Sequence, residues 1–284
     1  NYGNDILHLC NDIIFKSFTN LSSEQIDVIK ICDKKENIFI TGPGGTGKSY
    51  LINLLVKRYS NIRKLQVCAL TGVAAELLGC NAKTIHSWAG IGLLNNSFDK
   101  ILKDILLSKR YLKNWKEIQI LIIDEVSMMS LELFEILDKI SRKVRCNNEL
   151  FGGIQLVFSG DFYQLPPVSN NSIETKFCFE SSLWNNTFPN VIILKKIFRQ
   201  NDPIFTKILK QVRTGKISKN SLQILNKRIM IKENHLSYGK KLNPTIISPL
   251  KQVVNSINEI NMDKLQSEGL IFNYKFILPN NYEN

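Results

Sequence analysis

The sequence predicts an α/β protein built on a mostly parallel sheet, and three observations carry that expectation. Short apolar runs alternate with segments of helical periodicity along the 284 residues. Several runs are apolar at nearly every position, which suits parallel strands covered by helices on both faces. One run, Ile38–Thr41, stops at a cluster of glycines that leads directly into an amphipathic segment, the strand–loop–helix order of such folds.

Taken in order, the elements begin at Leu21. LSSEQ places Ser22 and Gln25 in the S-x-x-Q pattern of a capping box, so a helix starts there. Strands are expected at Ile38–Thr41, Leu65–Leu70, Ile118–Asp124, Ile154–Ser159, Val191–Leu194 and Thr245–Ser248. In SLELFEILDKISRKV, the residues Leu133, Ile136, Leu137, Ile140 and Val144 share one helical face. The Leu- and Lys-rich segment Ile91–Lys116 interrupts the alternation and reads as a helical insertion. NNTFPN and QNDP mark a boundary near 190–203. A first domain over 1–190 and an incomplete second one over 191–284 follow.

Composition narrows the classes. No run of ~18 uncharged apolar residues exists, so no membrane-spanning helix is expected. The start, NYGNDILHLC, lacks the basic and apolar regions of a signal peptide and has no initiator Met; a fragment of a longer chain is expected. Six scattered cysteines without a C-x-x-C pair, and only three histidines, give no zinc framework and suit a reducing, intracellular compartment. Net charge is +12, with 24 basic and 19 acidic residues over 1–200 and 13 and 6 over 201–284. Such an excess favours a polyanionic partner, although it also suits a solubilising surface.

The chemistry is concentrated in a few stretches. GPGGTGKS, Gly42 to Ser49, matches G-x-x-x-x-G-K-[ST], a phosphate-binding P-loop. Gly42, Gly44, Gly45 and Gly47 allow backbone angles and close approach that a Cβ would block, and Thr46 completes the loop. The loop amides and the following helix start would face phosphate oxygens. Lys48 would reach the β and γ phosphates of ATP, and Ser49 would ligate Mg²⁺. LIIDEVS ends a strand on Asp124 and Glu125: the first to hold Mg²⁺, the second to orient or deprotonate the attacking water. A carboxylate pair there also suits a helix cap. After the strand ending at Ser159–Gly160, Gln164 on the loop DFYQLPPV can contact the γ-phosphate or the water, or simply occupy a proline-fixed turn. Gln25, 17 residues before Gly42, can donate to and accept from an adenine edge as well as cap its helix.

LSSEQ, GPGGTGKS, ALTGVAAELLGCNAKTIHSWAGIG, IIDEVSMM, VFSGDFYQLPPV and LKKIFRQ run from Leu21 to Gln200 in one order. In these stretches the chain resembles the Pif1-type DNA helicases of superfamily 1B. TGVAA…TIHSWAGIG and GDFYQLPPV are the specific matches; the P-loop is generic. The resemblance implies a P-loop NTPase with a RecA-like sheet over 1–190, an inserted wedge near 91–116, and a partial second RecA-like domain. It implies ATP-driven 5′-to-3′ movement on single-stranded DNA coupled to duplex unwinding, with ATP and Mg²⁺ as ligands, single-stranded DNA and duplex junctions as partners, and a monomeric enzyme. It places Thr71, Gly72, His86, Ser87 and Trp88 on the DNA-contacting segment, where aromatics offer bases a stacking face. For Trp88, core packing is the equal alternative. It brings Arg199 into the ATP site from the second domain. Beyond Leu265 the later helicase motifs have no counterpart, so the chain is expected to cover half to two-thirds of a helicase core. A truncated nucleotide- and DNA-binding module without unwinding activity is the alternative.

Overall fold

The computed structural model describes residues 21–92, 94, 96–168, 175–229 and 245–265. Ser22 and Gln25 form the expected reciprocal cap, with Ser22 Oγ accepting from the Gln25 amide and Gln25 Oε1 accepting from the Ser22 amide. They open helix α1 (Ser23–Asp33). The chain then runs through β1 (Ile38–Thr41), α2 (Lys48–Tyr59), β2 (Leu65–Ala69), α3 (Gly72–Leu78), β3 (Lys83–Thr84) and α4 (Ile85–Ala89). Helices α5 (Phe98–Leu107) and α6 (Lys109–Glu117) come next, followed by β4 (Ile120–Asp124), α7 (Leu131–Arg145), β5 (Gln155–Gly160), α8 (Trp184–Thr187) and β6 (Asn190–Ile193). Helices α9 (Pro203–Arg213), α10 (Lys219–Asn226) and α11 (Lys251–Asp263) complete the described elements.

The six strands form one sheet in the order β3-β2-β4-β5-β1-β6, and every pairing is parallel. Alternation along β4 explains why its run is apolar throughout. Ile120 and Ile122 join a core with Val28, Leu51, Ile52 and Leu55 from α1 and α2. Leu121 and Ile123 join the opposite core with Phe134 and Leu137 of α7 and Trp115 of α6. Successive side chains point to opposite faces, so a strand covered on both sides needs apolar residues at both parities. Each buried Ile or Leu stabilises the fold by roughly 1.5–3 kcal/mol relative to exposure. In α7 the buried stripe is Leu133, Phe134, Leu137, Ile140 and Val144, with Ile136 only partly covered.

Three differences from the sequence reading have physical causes. The sheet runs past residue 190: β6 pairs with β1, Ile38 to Asn190 through Thr41 to Ile193. NNTFPN is thus the end of α8, a two-residue link at Phe188 and Pro189, and the first residue of β6. The chain divides into two compact units after Ile224 instead. Thr245–Ser248 forms no strand; Ile246 and Ile247 are 62% and 92% exposed, with no neighbouring strand to pair with among the described residues. The two-residue β3 was too short to leave a period in the sequence. Within the segment Ile91–Lys116 the expected helix is found from Phe98 on, in α5 and most of α6. Both helices bury a face in the first unit through Ile101, Ile105 and Trp115.

Candidate nucleotide site and nucleic-acid interface

Every stretch singled out for chemistry after the first strand leaves the carboxyl end of a strand. Residues 42–48 follow β1, Thr71 and Gly72 follow β2, and His86 and Ser87 follow β3. Asp124 ends β4, Asp161–Gln164 follows β5, and Arg199 follows β6. Ligands of open parallel sheets bind along that edge.

The loop after β1 is held by its neighbours at two glycines. Gly45 has φ +81°, and a Cβ there would lie 2.7 Å from Arg199 Cβ. Gly47 has φ +85°, and a Cβ would lie 2.9 Å from Gln25 Nε2. Gly44 has open space around it, so no protein contact demands a glycine there. Gly47 N-caps α2 without a side-chain hydrogen bond, which leaves the first amides of that helix available to an anion. Thr46 is buried, its hydroxyl donating to Pro43 O at 2.9 Å. Lys48 Nζ donates to Gly42 O at 2.7 Å and Pro43 O at 3.1 Å. Burial pushes the Lys48 ammonium down from its ordinary range, and Asp161, Asp124 and Glu125 draw it part of the way back. Ser49 is exposed at the start of α2. Gln25 is 1% exposed, and its Nε2 lies 3.5 Å from Thr46 O, so its amide braces the loop as well as capping α1.

Asp124 is buried at the end of β4, and its Oδ1 has no hydrogen-bond partner. Burial pushes this carboxyl up, with Lys48 among the groups that draw it back. A buried carboxylate oxygen without a donor is costly unless a cation or proton satisfies it. Glu125 is half-buried with φ 57° and ψ 39°, a left-handed conformation that a non-glycine residue adopts at a cost of about 1–3 kcal/mol. Burial, then the charge of Asp124, push its carboxyl up. Among the described residues no group of three or more His, Cys, Asp or Glu side chains could cage a metal. One carboxylate and one hydroxyl suit an ion such as Mg²⁺ that keeps waters and takes further ligands from phosphates.

Gln164 is exposed; its amide donates to Asp161 O at 2.8 Å and its Nε2 to Asp161 Oδ2 at 3.4 Å. It lines a cleft of about 310 Å³ with Pro43, Gly44, Asp161, Arg199 and Arg213. Arg199 lies within the first compact unit. The Leu194 amide bonds Thr41 O and the Phe198 amide bonds Gly45 O, both at 2.8 Å, so the chain after β6 folds directly over the loop. Sequence reasoning missed Arg213 and Tyr163, which line the same cleft.

At the other half of the edge, Thr71 N-caps α3, accepting from the Ala74 amide at 3.2 Å, and Gly72 is exposed. Ser87 is exposed, and half-buried His86 is held below its ordinary pKa by burial, so its ring is neutral at pH 7. Trp88 corrects one expectation. Its indole is 2% exposed and lies 4.8 Å from the Trp115 ring, leaving no face for a base. Trp115 Nε1 donates to Ala89 O and Asn114 Nδ2 to Trp88 O, which pins α6 to α4.

The parallel sheet with its glycine cradle and buried Asp124 defines a RecA-like P-loop fold. The family model for PIF1-like helicase matches residues 20–223, and the chain belongs to that family. The ATP-dependent DNA helicase PIF1 of Saccharomyces cerevisiae is 39% identical over 258 residues, covering 89% of this chain and 29% of that protein. The crystal structure of Pif1 helicase from Candida albicans superposes with a TM-score of 0.78 at 35% identity, over 87% of this chain and 55% of that one. Pif1 helicase from Bacteroides, solved in complex with ADP-AlF3 and ssDNA, gives 0.73 at 27% identity, over 87% and 58%. The chain thus spans about a fifth to a half of the length of the curated relatives it matches.

Proposed function

We propose that this chain is part of an ATP-dependent DNA helicase that moves 5′-to-3′ on single-stranded DNA and opens duplex junctions. The observation that carries the reading is the convergence of Lys48, Asp124, Glu125, Gln164 and Arg199 on the carboxyl edge that also bears Thr71, Gly72 and Ser87. The loop amides and Lys48 would hold the phosphates of ATP, and Gln25, both ends of whose amide are engaged in the cap and the loop, would meet the adenine only by releasing one of them. Ser49 and Asp124 would hold Mg²⁺, which when bound neutralises phosphate charge. Glu125 takes the proton of the attacking water, Gln164 orients that water, and Arg199 stabilises charge on the transferring phosphoryl group. The hydroxyls of Thr71 and Ser87, the Gly72 amide and the His86 ring would contact the DNA backbone. Residues 91–116 would form the wedge at the strand-separation point, and the unit after Ile224 would begin a second RecA-like domain. Nucleotide can move the protein only through different affinities for its open and closed states.

The test is strand displacement from forked duplexes carrying either a 5′ or a 3′ single-stranded tail. ATP-dependent release from the 5′-tailed substrate alone is expected; release from the 3′-tailed one would reverse the polarity. The share of the relatives' length that the chain spans favours one second reading, a module that binds nucleotide and DNA without unwinding. Retained binding of both ligands with no release from either substrate would select it.

A further inference from the structure

Helix α9 ends on a residue to which no motif assigns a role. Arg213 donates from Nε to Asp161 Oδ2 at 2.7 Å and from Nη2 to Asp161 Oδ1 at 2.6 Å. Its guanidinium carbon also lies 4.3 Å from the centre of the Tyr163 ring. The Asp161 side chain is 1% exposed and that of Arg213 25%. A planar fork on both oxygens of a carboxylate adds geometric specificity to charge. Asp161 in turn organises the turn that carries Gln164. Besides the two contacts with Gln164, its Oδ1 accepts from the Tyr163 amide at 3.2 Å. One carboxylate therefore fixes both the backbone of the turn and the head of Gln164, and Arg213 fixes the carboxylate. Burial alone would push Asp161 up; Arg213, the Tyr163 amide and Gln164 together outweigh it and hold the group below the usual carboxylate range.

We propose that Arg213 is a positioning residue for the nucleotide reaction: through its two-pronged pair with Asp161 it holds Gln164 at the phosphate cradle and ties helix α9 to the γ-phosphate end of the site. The proposal rests on the reading of this cleft as an ATP site. Nε and Nη2 of Arg213 are both engaged with Asp161, so its loss should be felt through Gln164, where a γ-phosphate or its mimic sits, and hardly at all by ADP.

The experiment measures the affinity of this chain for ADP and for ADP with aluminium fluoride, both with Mg²⁺, alongside thermal unfolding. Wild type, Arg213→Ala, Gln164→Ala and the double variant are compared. Arg213→Ala should lose ~10-fold or more in affinity for the fluoride complex and less than ~3-fold for ADP. The double variant should lose no more than Gln164→Ala alone, because residues acting through one another are not additive. Equal losses for both nucleotides would make Arg213 a fold-stabilising residue and overturn the proposal. Independent, additive losses would also overturn it, since Arg213 would not then act through Gln164. If Arg213→Ala does not fold, Arg213→Lys, which keeps the charge but not the fork, is held to the same outcomes. A wild-type chain that binds neither nucleotide would remove the ATP site and the proposal with it; normal wild-type binding with a silent variant would remove only the proposal.

Discussion

At the carboxyl ends of β1, β4, β5 and β6 most of the functional side chains are charged, and several are buried or tied down. At the ends of β2 and β3 they are small and open to solvent. In the first half Lys48 rests on two loop carbonyls, Asp124 is buried with an unpartnered oxygen, and Asp161 is gripped by Arg213. In the second, Gly72 and Ser87 are exposed, and Val73 and Leu77 of α3 are 69% and 83% exposed. The difference matches the two tasks of the proposed function. Phosphoryl chemistry needs fixed charges and little water. A strand that must slide needs shallow, repeatable contacts.

Substitutions in the two halves should therefore separate. The largest effect is expected for Lys48→Ala, which should lower ATP turnover on the order of 10³-fold while thermal stability changes little; steady-state hydrolysis checks it. Glu125→Gln should lower turnover by ~10²–10⁴-fold with ATP binding retained, since the amide accepts no proton. Turnover at the wild-type rate would remove Glu125 as the base. Trp88→Ala should cost about 3–5 kcal/mol of stability through a core cavity, whereas Trp88→Phe should keep single-stranded DNA affinity within ~3-fold. Strong DNA loss in a folded Trp88→Phe protein would return Trp88 to the interface.

Asp124→Asn should stabilise the nucleotide-free protein while abolishing turnover. The folded pKa of Asp124 is raised, so the stability tied to its protonated form is present at low pH and lost as pH rises through that pKa. The advantage of the variant should therefore be small in acid and grow toward neutral pH in melts across a pH series. An advantage that does not vary with pH would contradict the burial argument. The smallest effect is expected for Thr71→Ala, about 1 kcal/mol from the lost cap, with weaker DNA binding but unchanged ATP affinity in the absence of DNA.

The same contrast governs what could be read from the residues alone. The P-loop was legible because phosphate binding restricts both residue type and spacing from Gly42 to Ser49. The parallel sheet was legible because two covered faces force apolar runs such as Leu121–Ile123. Trp88 was not, because an aromatic residue suits a core and a base equally until Trp115 is placed beside it. Arg213 was invisible because one basic residue at the end of an amphipathic helix looks like any other; only the fold brings it to Asp161, 52 positions earlier. The pairing of β6 with β1 was not legible because a proline-containing link marks a loop equally well inside a domain and between two.

The most direct test of the account is ATP hydrolysis by this chain with and without a single-stranded oligonucleotide, with Lys48→Ala as the control. The account predicts hydrolysis that rises strongly with DNA and vanishes in the variant, which would mean the two halves of the sheet edge act as one coupled site. Hydrolysis that ignores DNA, or that survives loss of Lys48, would contradict it.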